Sequence, residues 1–159
     1  TLGVCLSLTT YTVQTISIWY KIYSINNVGN GSQYLCDART YPPSGSGLTS
    51  AGYVYYYTLD STNFGSAWNT AYVNGGSAIA TSTATWTGVV NPTTPTPWRN
   101  VTLVSTSSAV TYPTIAGMFN KRECLDCAIA FVLVYNRALS QEENTNNYNL
   151  LLSKMNALS

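Results

Sequence analysis

The sequence predicts an all-β fold of two packed antiparallel sheets with one C-terminal helix. Composition is the first observation behind it. Charged residues make up only 8 % of the 159 positions, against about 25 % in an ordinary globular chain. Polarity comes instead from 22 Thr, 17 Ser and 15 Asn, beside 13 Tyr. Thr and Tyr suit a pleated, half-buried surface, and Ser, Asn and Gly suit turns. The second observation is a series of short alternating stretches separated by turn signals, and the third is a single helical period at the end.

Taken in order, "TISIWYKI" (15–22) alternates cleanly. Ile16, Ile18, Tyr20 and Ile22 share one face, and Thr15, Ser17, Trp19 and Lys21 share the other. "YLCDAR" (34–39) sets Tyr34, Cys36 and Ala38 against Leu35, Asp37 and Arg39. "YVYYYTL" (53–59) reads as a strand with aromatics on both faces. If Leu59 faces the core, so do Tyr53, Tyr55 and Tyr57, which leaves Tyr56 outward. "TAYVNGGSAI" (70–79) is a hairpin, because Asn74-Gly75 supplies the positive φ angles of a tight turn. "NPTTPTP" (91–97) cannot be a central strand, since its prolines remove ladder donors. "WRNVTLVS" (98–105) resumes the alternation, and "YPTIAGMF" (112–119) is a short strand bent at Gly117. "CAIAFVLVY" (127–135) is the most apolar strand. The helix follows: Ser140 and Glu143 form a capping box, and Tyr148, Leu151, Leu152, Met155 and Leu158 recur at helical spacing. No internal repeat or second composition regime interrupts the chain, so residues 1–159 read as a single domain. Many short strands at this spacing read as a β-sandwich or jelly roll.

Bulk properties exclude several function classes. Net charge is +1 and no basic run exists, so the counterion release that drives nucleic-acid binding has no source. No apolar stretch approaches the roughly 18 to 20 residues of a membrane helix. The chain begins at Thr1 without methionine, and is expected to be a processed product or part of a larger protein. It has four cysteines and no histidine. Cys124 and Cys127 form a CxxC, but Cys5 and Cys36 lie too far off for a four-cysteine zinc site. Reduced thiols, a tight disulfide and a redox pair all remain open for CxxC, although a redox motif should open a helix and this one precedes a strand. Two Asn-x-Ser/Thr sequons, at Asn30 and Asn100, would permit glycosylation in a secretory setting.

Three charges gather in "VYNRALSQEE" (134–143): Arg137, Glu142 and Glu143. They read as the joint between the last strand and the helix. A carboxylate in the first turn suits both the capping box and the helix dipole. Catalysis is therefore sought elsewhere.

The order of segments, above all the strand running into "YNRALSQEE" and the Tyr-Val-Asn-Gly hairpin, resembles the laminin-G-like and concanavalin A-like jelly-roll superfamily. The high Thr, Asn and Tyr content and "YLCDAR" resemble the versions found in large algal viruses, notably chloroviruses. The resemblance implies a two-sheet antiparallel jelly roll whose outer face often binds glycans. Its members include lectins, binding modules, glucanases and polysaccharide lyases, so fold does not choose the function. It also implies an extracellular or virion-associated setting and a cell-wall polysaccharide as partner. Laminin-G-like domains often bind calcium, but the scattered acids here do not indicate a site, and no cofactor is expected.

Glycoside hydrolysis needs two carboxylates about 5 to 9.5 Å apart. The acids are Asp37, Asp60, Glu123, Asp126, Glu142 and Glu143, and they lack the alternating acidic cluster of the superfamily's glucanases. Pairing Asp37 with Asp126 is the remaining option. Without histidine, Ser–His and Cys–His nucleophiles are excluded. A uronate lyase using Tyr as base beside Arg or Lys survives by analogy, with Arg39, Tyr56 and Asp37 as its candidates. Sugar binding asks for less: aromatic faces and hydrogen-bonding side chains. Trp19, Lys21, Asp37, Arg39, Tyr41 and Tyr56 are the candidates for it. A purely structural interaction module is the third class.

Overall fold

The computed structural model describes residues 6–7, 12–24, 33–37, 53–56, 64–65, 67–90, 95–106, 110–111, 114–116 and 125–156. Their elements run β1 (Leu6–Ser7), β2 (Thr12–Val13), β3 (Thr15–Ser24), β4 (Gln33–Asp37), β5 (Tyr53–Tyr56), β6 (Thr70–Val73), β7 (Ile79–Ala80), α1 (Trp86–Val89), β8 (Arg99–Val104), β9 (Val110–Thr111), β10 (Thr114–Ile115), β11 (Asp126–Tyr135) and α2 (Gln141–Asn156). The chain is mostly β, as expected, and every strand pairing is antiparallel. A five-stranded sheet has the order β11-β3-β8-β6-β7, a four-stranded sheet β1-β10-β4-β5, and β2 pairs with β9.

β3 is the spine of the larger sheet. It pairs with β11 from Thr15↔Tyr135 to Ser24↔Asp126, and with β8 from Thr15↔Val104 to Tyr20↔Arg99. Ile16, Ile18, Tyr20 and Ile22 point into one core cluster with Val101 and Leu103 of β8 and Ala71 of β6. Leu35 and Cys36 of β4 and Ile115 of β10 belong to the same cluster, so the core joins residues of both large sheets. The expected face of β3 is thus the core face. The strand itself runs to Ser24, two residues beyond its predicted end.

The β6–β7 connection is the predicted hairpin. Asn74 and Gly75 both have positive φ, 51° and 67°, and Gly76 N donates to Val73 O at 2.9 Å. Mirror-image turns of this kind match the right-handed twist of the flanking strands. Residues 95–97 are not strand, as the prolines require. Even so, Thr96 N donates to Ile22 O at 2.9 Å, and Ile22 N donates to Thr96 Oγ1 at 2.8 Å. The short α1 has no long apolar period to announce it; Thr85 Oγ1 caps it by accepting from Gly88 N.

α2 begins at the expected capping box. Glu143 N donates to Ser140 Oγ at 3.2 Å and Ser140 N donates to Glu143 Oε2 at 2.8 Å. Arg137 adds a fork, giving 3.0 Å to Oε2 and 2.6 Å to Oε1 of Glu143. Two of the three charges of the 134–143 window, Arg137 and Glu143, are therefore spent on one another and on the helix start. Thr15 ties this joint to the sheet: its Oγ1 donates to Arg137 O at 2.8 Å and accepts from Leu139 N at 3.0 Å.

Two expectations follow from these contacts. A Cβ on Gly75 would lie 2.8 Å from Tyr148 Cδ1 on α2, at a φ that L-residues rarely adopt. Gly75→Ala is expected to destabilise the fold by about 2 kcal/mol or more, measured by urea unfolding; an unchanged midpoint would contradict the docking. The hydrogen bonds from Arg137 and then from the Ser140 amide lower the Glu143 carboxyl from 4.5 to about 2. A depressed carboxylate stabilises the fold above its ordinary pKa and loses that effect as pH falls through the folded value. The advantage of the parent chain over Glu143→Gln in thermal unfolding is expected to be complete above about pH 4.5 and to fade towards about pH 2.

Candidate functional site

The second face of β3 carries Thr15, Ser17, Trp19, Lys21 and Tyr23. Ladder pairing sets Trp19 beside Phe131 and Asn100, and Ser17 beside Leu133 and Thr102. α2 lies over this face. The Trp19 and Tyr148 rings stack with centroids 5.1 Å apart and planes 7° from parallel. Leu151 and Met155 complete a second cluster with Trp19, and Trp98, Ala130, Phe131, Leu133 and Leu152 pack against it. Hydrogen bonds seat the helix at its start: Gln141 Nε2 donates to Gly76 O at 2.7 Å and Thr145 Oγ1 to Gly75 O at 2.9 Å. Asn147 Nδ2 donates to Tyr135 Oη at 3.1 Å.

The expectation that Trp19 presents its ring to a sugar is therefore corrected. Trp19 is 2 % exposed, because α2 roofs the half of the face on which it stands. Among the described residues its indole N–H has no hydrogen-bond partner, which costs about 1 to 3 kcal/mol. Burying a ring of roughly 150 to 250 Å² at about 25 cal/mol per Å² contributes ~4 to 6 kcal/mol, so burial prevails.

Asp37 is corrected too. It is fully buried, not on an outward face. The ladder slips by one residue between Tyr34 and Cys36, a bulge at Leu35 that breaks the alternation on which the outward reading rested. β4 also lies between β10 and β5, and Tyr34, Leu35, Cys36 and Asp37 are all buried. Asp37 and Asp126 stand on different sheets. Arg39 and Tyr41 lie outside the described residues. Tyr56 pairs with Gln33 at the end of β5, but its side chain is outside them as well.

Lys21 is the sequence candidate that the structure leaves open to solvent, half-buried near the end of β3. Beside it stands Tyr23, which alternation could have found had the strand been carried two residues further. Tyr23 is 50 % exposed, and Lys21 Nζ lies 5.9 Å from its ring centroid. Between Ser24↔Asp126 and Ile22↔Cys127 the register shifts, so Tyr23 is the extra residue of a bulge that turns its ring outward. Bulges commonly re-aim a side chain in this way. A second shift, at Ala130, falls just beyond Lys21. Half-buried Trp98 borders this end through its contacts with the Trp19 cluster. Ser24 Oγ donates to Asp126 Oδ2 at 2.5 Å.

A tyrosine–arginine pair does occur, but it is no catalytic base. Tyr20 is fully buried and its hydroxyl donates to Val90 O at 2.6 Å. Burial pushes its pKa far above the usual tyrosine range, and neighbouring Arg99 offsets only part of the shift. Arg99 itself donates to Val89 O at 2.9 Å and Gly88 O at 3.3 Å. The pair braces the C-terminal end of α1 and Val90 just after it. Among the described residues, no group of three or more His, Cys, Asp or Glu side chains gathers to hold a metal, and no helix is long and apolar enough to cross a membrane. Cys36 is buried in the core and Cys127 packs against it; Cys5, Cys124, Asp60 and Glu123 lie outside the described residues.

The sequon at Asn100 is closed in this fold. Asn100 is 2 % exposed. Its Nδ2 donates to Ser17 Oγ at 2.9 Å and to Ile18 O at 3.3 Å, and the sequon's Thr102 hydroxyl donates to Ser17 Oγ at 2.8 Å. The chain secreted from N-glycosylating cells is expected to carry no glycan at Asn100 in its folded, protease-resistant fraction. Peptide mass spectrometry checks this, and a glycan found there would contradict the buried ladder. The sequon at Asn30 is outside the described residues.

No family model, no curated protein and no solved structure matches the chain, so the chemistry of this site is read from its own residues.

Proposed function

We propose that the chain is a concanavalin A-like jelly-roll domain that recognises cell-wall polysaccharide as part of a larger extracellular or virion protein. The resemblance described above suggests the class. The observation that carries the reading is Tyr23, a ring half exposed at a bulge with Lys21 beside it. A sugar needs such a ring for its apolar face and nearby polar groups to fix its orientation. Trp98 offers a second, partly covered ring at the same end.

Cleavage is the second reading, since Lys21 and Tyr23 are a cation and a tyrosine in company. A lyase needs the cation near the phenol oxygen, where it stabilises the phenolate. Here the ammonium lies over the ring, an arrangement suited to holding the ring and its ligand rather than to generating a base. Binding is therefore favoured over cleavage, and both over a purely structural module.

One experiment separates the three. The chain is incubated with algal cell wall, with polyuronate and with neutral glucan, and retention, ultraviolet absorbance of unsaturated ends and reducing ends are followed. Retention without new ends is the expected result. Tyr23→Ala is expected to weaken retention about two- to tenfold, the value of one stacked ring. Unsaturated ends would establish a lyase, reducing ends alone a hydrolase, and no retention on any wall or polysaccharide would leave the structural module.

A further inference from the structure

We propose that the open end of the β3 face selects an acidic saccharide, one bearing a carboxylate or sulfate on its ring, with Lys21 receiving the anion while the sugar lies on Tyr23. This rests on the glycan reading and names the class of sugar. The first ground is the state of Lys21. Among the described residues no carboxylate pairs with it, and its ammonium stands 5.9 Å from the Tyr23 centroid, near enough for one ligand to meet both side chains. A neutral sugar would leave the ammonium facing only water and ring.

The second ground is how charge is distributed along α2. Glu142 and Glu143 occupy its first turn and Lys154 its last. The first turn is tied to the β6–β7 turn through Gln141 and Gly76. Met155, in the last turn, packs into the cluster that Trp98 borders. The helix acids are thus about 16 Å of helix away from Lys154, beyond the roughly 8 Å screening length of physiological salt. Glu143 is in addition neutralised by the Arg137 fork. The described acid at the Lys21 end is Asp126, whose Oδ2 is held by the Ser24 hydroxyl. Lys21 therefore faces this end against one engaged carboxylate.

The test measures retention of the whole chain on three insoluble supports: a polyuronate, a sulfated galactan and an uncharged glucan. The expected result is an anionic-to-neutral ratio of about three to ten. Lys21→Ala is expected to bring that ratio to about one, Lys21→Arg to keep it, and added salt to collapse it. The two anionic supports show which anion is taken. Lys21 is only half-buried, so its variants are expected to match the parent in circular dichroism; Lys21→Gln replaces Lys21→Ala if that variant does not. Equal retention on charged and uncharged supports, or an anionic preference that survives Lys21→Ala, would overturn this inference and leave glycan recognition standing. Absence of retention on every support would overturn glycan recognition, and the acidic-sugar inference with it.

Discussion

The structure depends on one contact: the stack of Trp19 on Tyr148, by which α2 is seated on the outer face of the five-stranded sheet. Much of what surrounds it adapts to this contact. Gly75 is glycine because the Tyr148 ring comes too close for a side chain. The carbonyls of Gly75 and Gly76 accept from Thr145 and Gln141, so the hairpin turn and the helix start are one unit. Ser17, Asn100 and Thr102 bond among themselves because the roof takes water away from them. A buried polar group without a partner costs more than the bond contributes, so such a network must be complete to be tolerated.

The same roof decides where function can lie. A carbohydrate site needs a ring in water. α2 removes Trp19 from water and stops short of Tyr23, so the usable part of the face is the bulged end of β3. There the chain has spent one of its few charges on a half-buried position beside an exposed ring. At the opposite end of α2, two charges, Arg137 and Glu143, are consumed in holding the helix start. A chain with so few charges thus separates a structural cluster from a cation available to a ligand.

Much of the fold was legible in the sequence, because the signals were local. The alternation of 15–22 named the core face of β3, Asn74-Gly75 named the turn, and Ser140 with Glu143 named the cap. The two-residue strands β1, β2 and β9 were not legible, because no period can be read from two residues. The site was harder. Alternation says which residues share a face, but not whether that face is wet. Trp19 and Lys21 were correctly placed together, yet a helix more than 120 positions later in the chain buries one and spares the other. Asp37 failed for a different reason: a bulge at Leu35 adds a residue and resets the faces beyond it. Tyr23 was missed because the strand was ended at the last clean alternation, just before the bulge that exposes it.

The central claim is that α2 closes the Trp19 half of the outer face in the native state. Hydrogen exchange at the Trp19 indole N–H tests it most directly, since that group is buried and makes no hydrogen bond to the described residues that would slow exchange by itself. The account predicts protection that is lost together with the amides of α2, and that Trp19→Phe, which keeps a ring on Tyr148, preserves for those amides. Rapid exchange of the Trp19 N–H while the β3 and β8 amides stay protected would contradict it, because the outer face would then be open to solvent beneath a lifted helix.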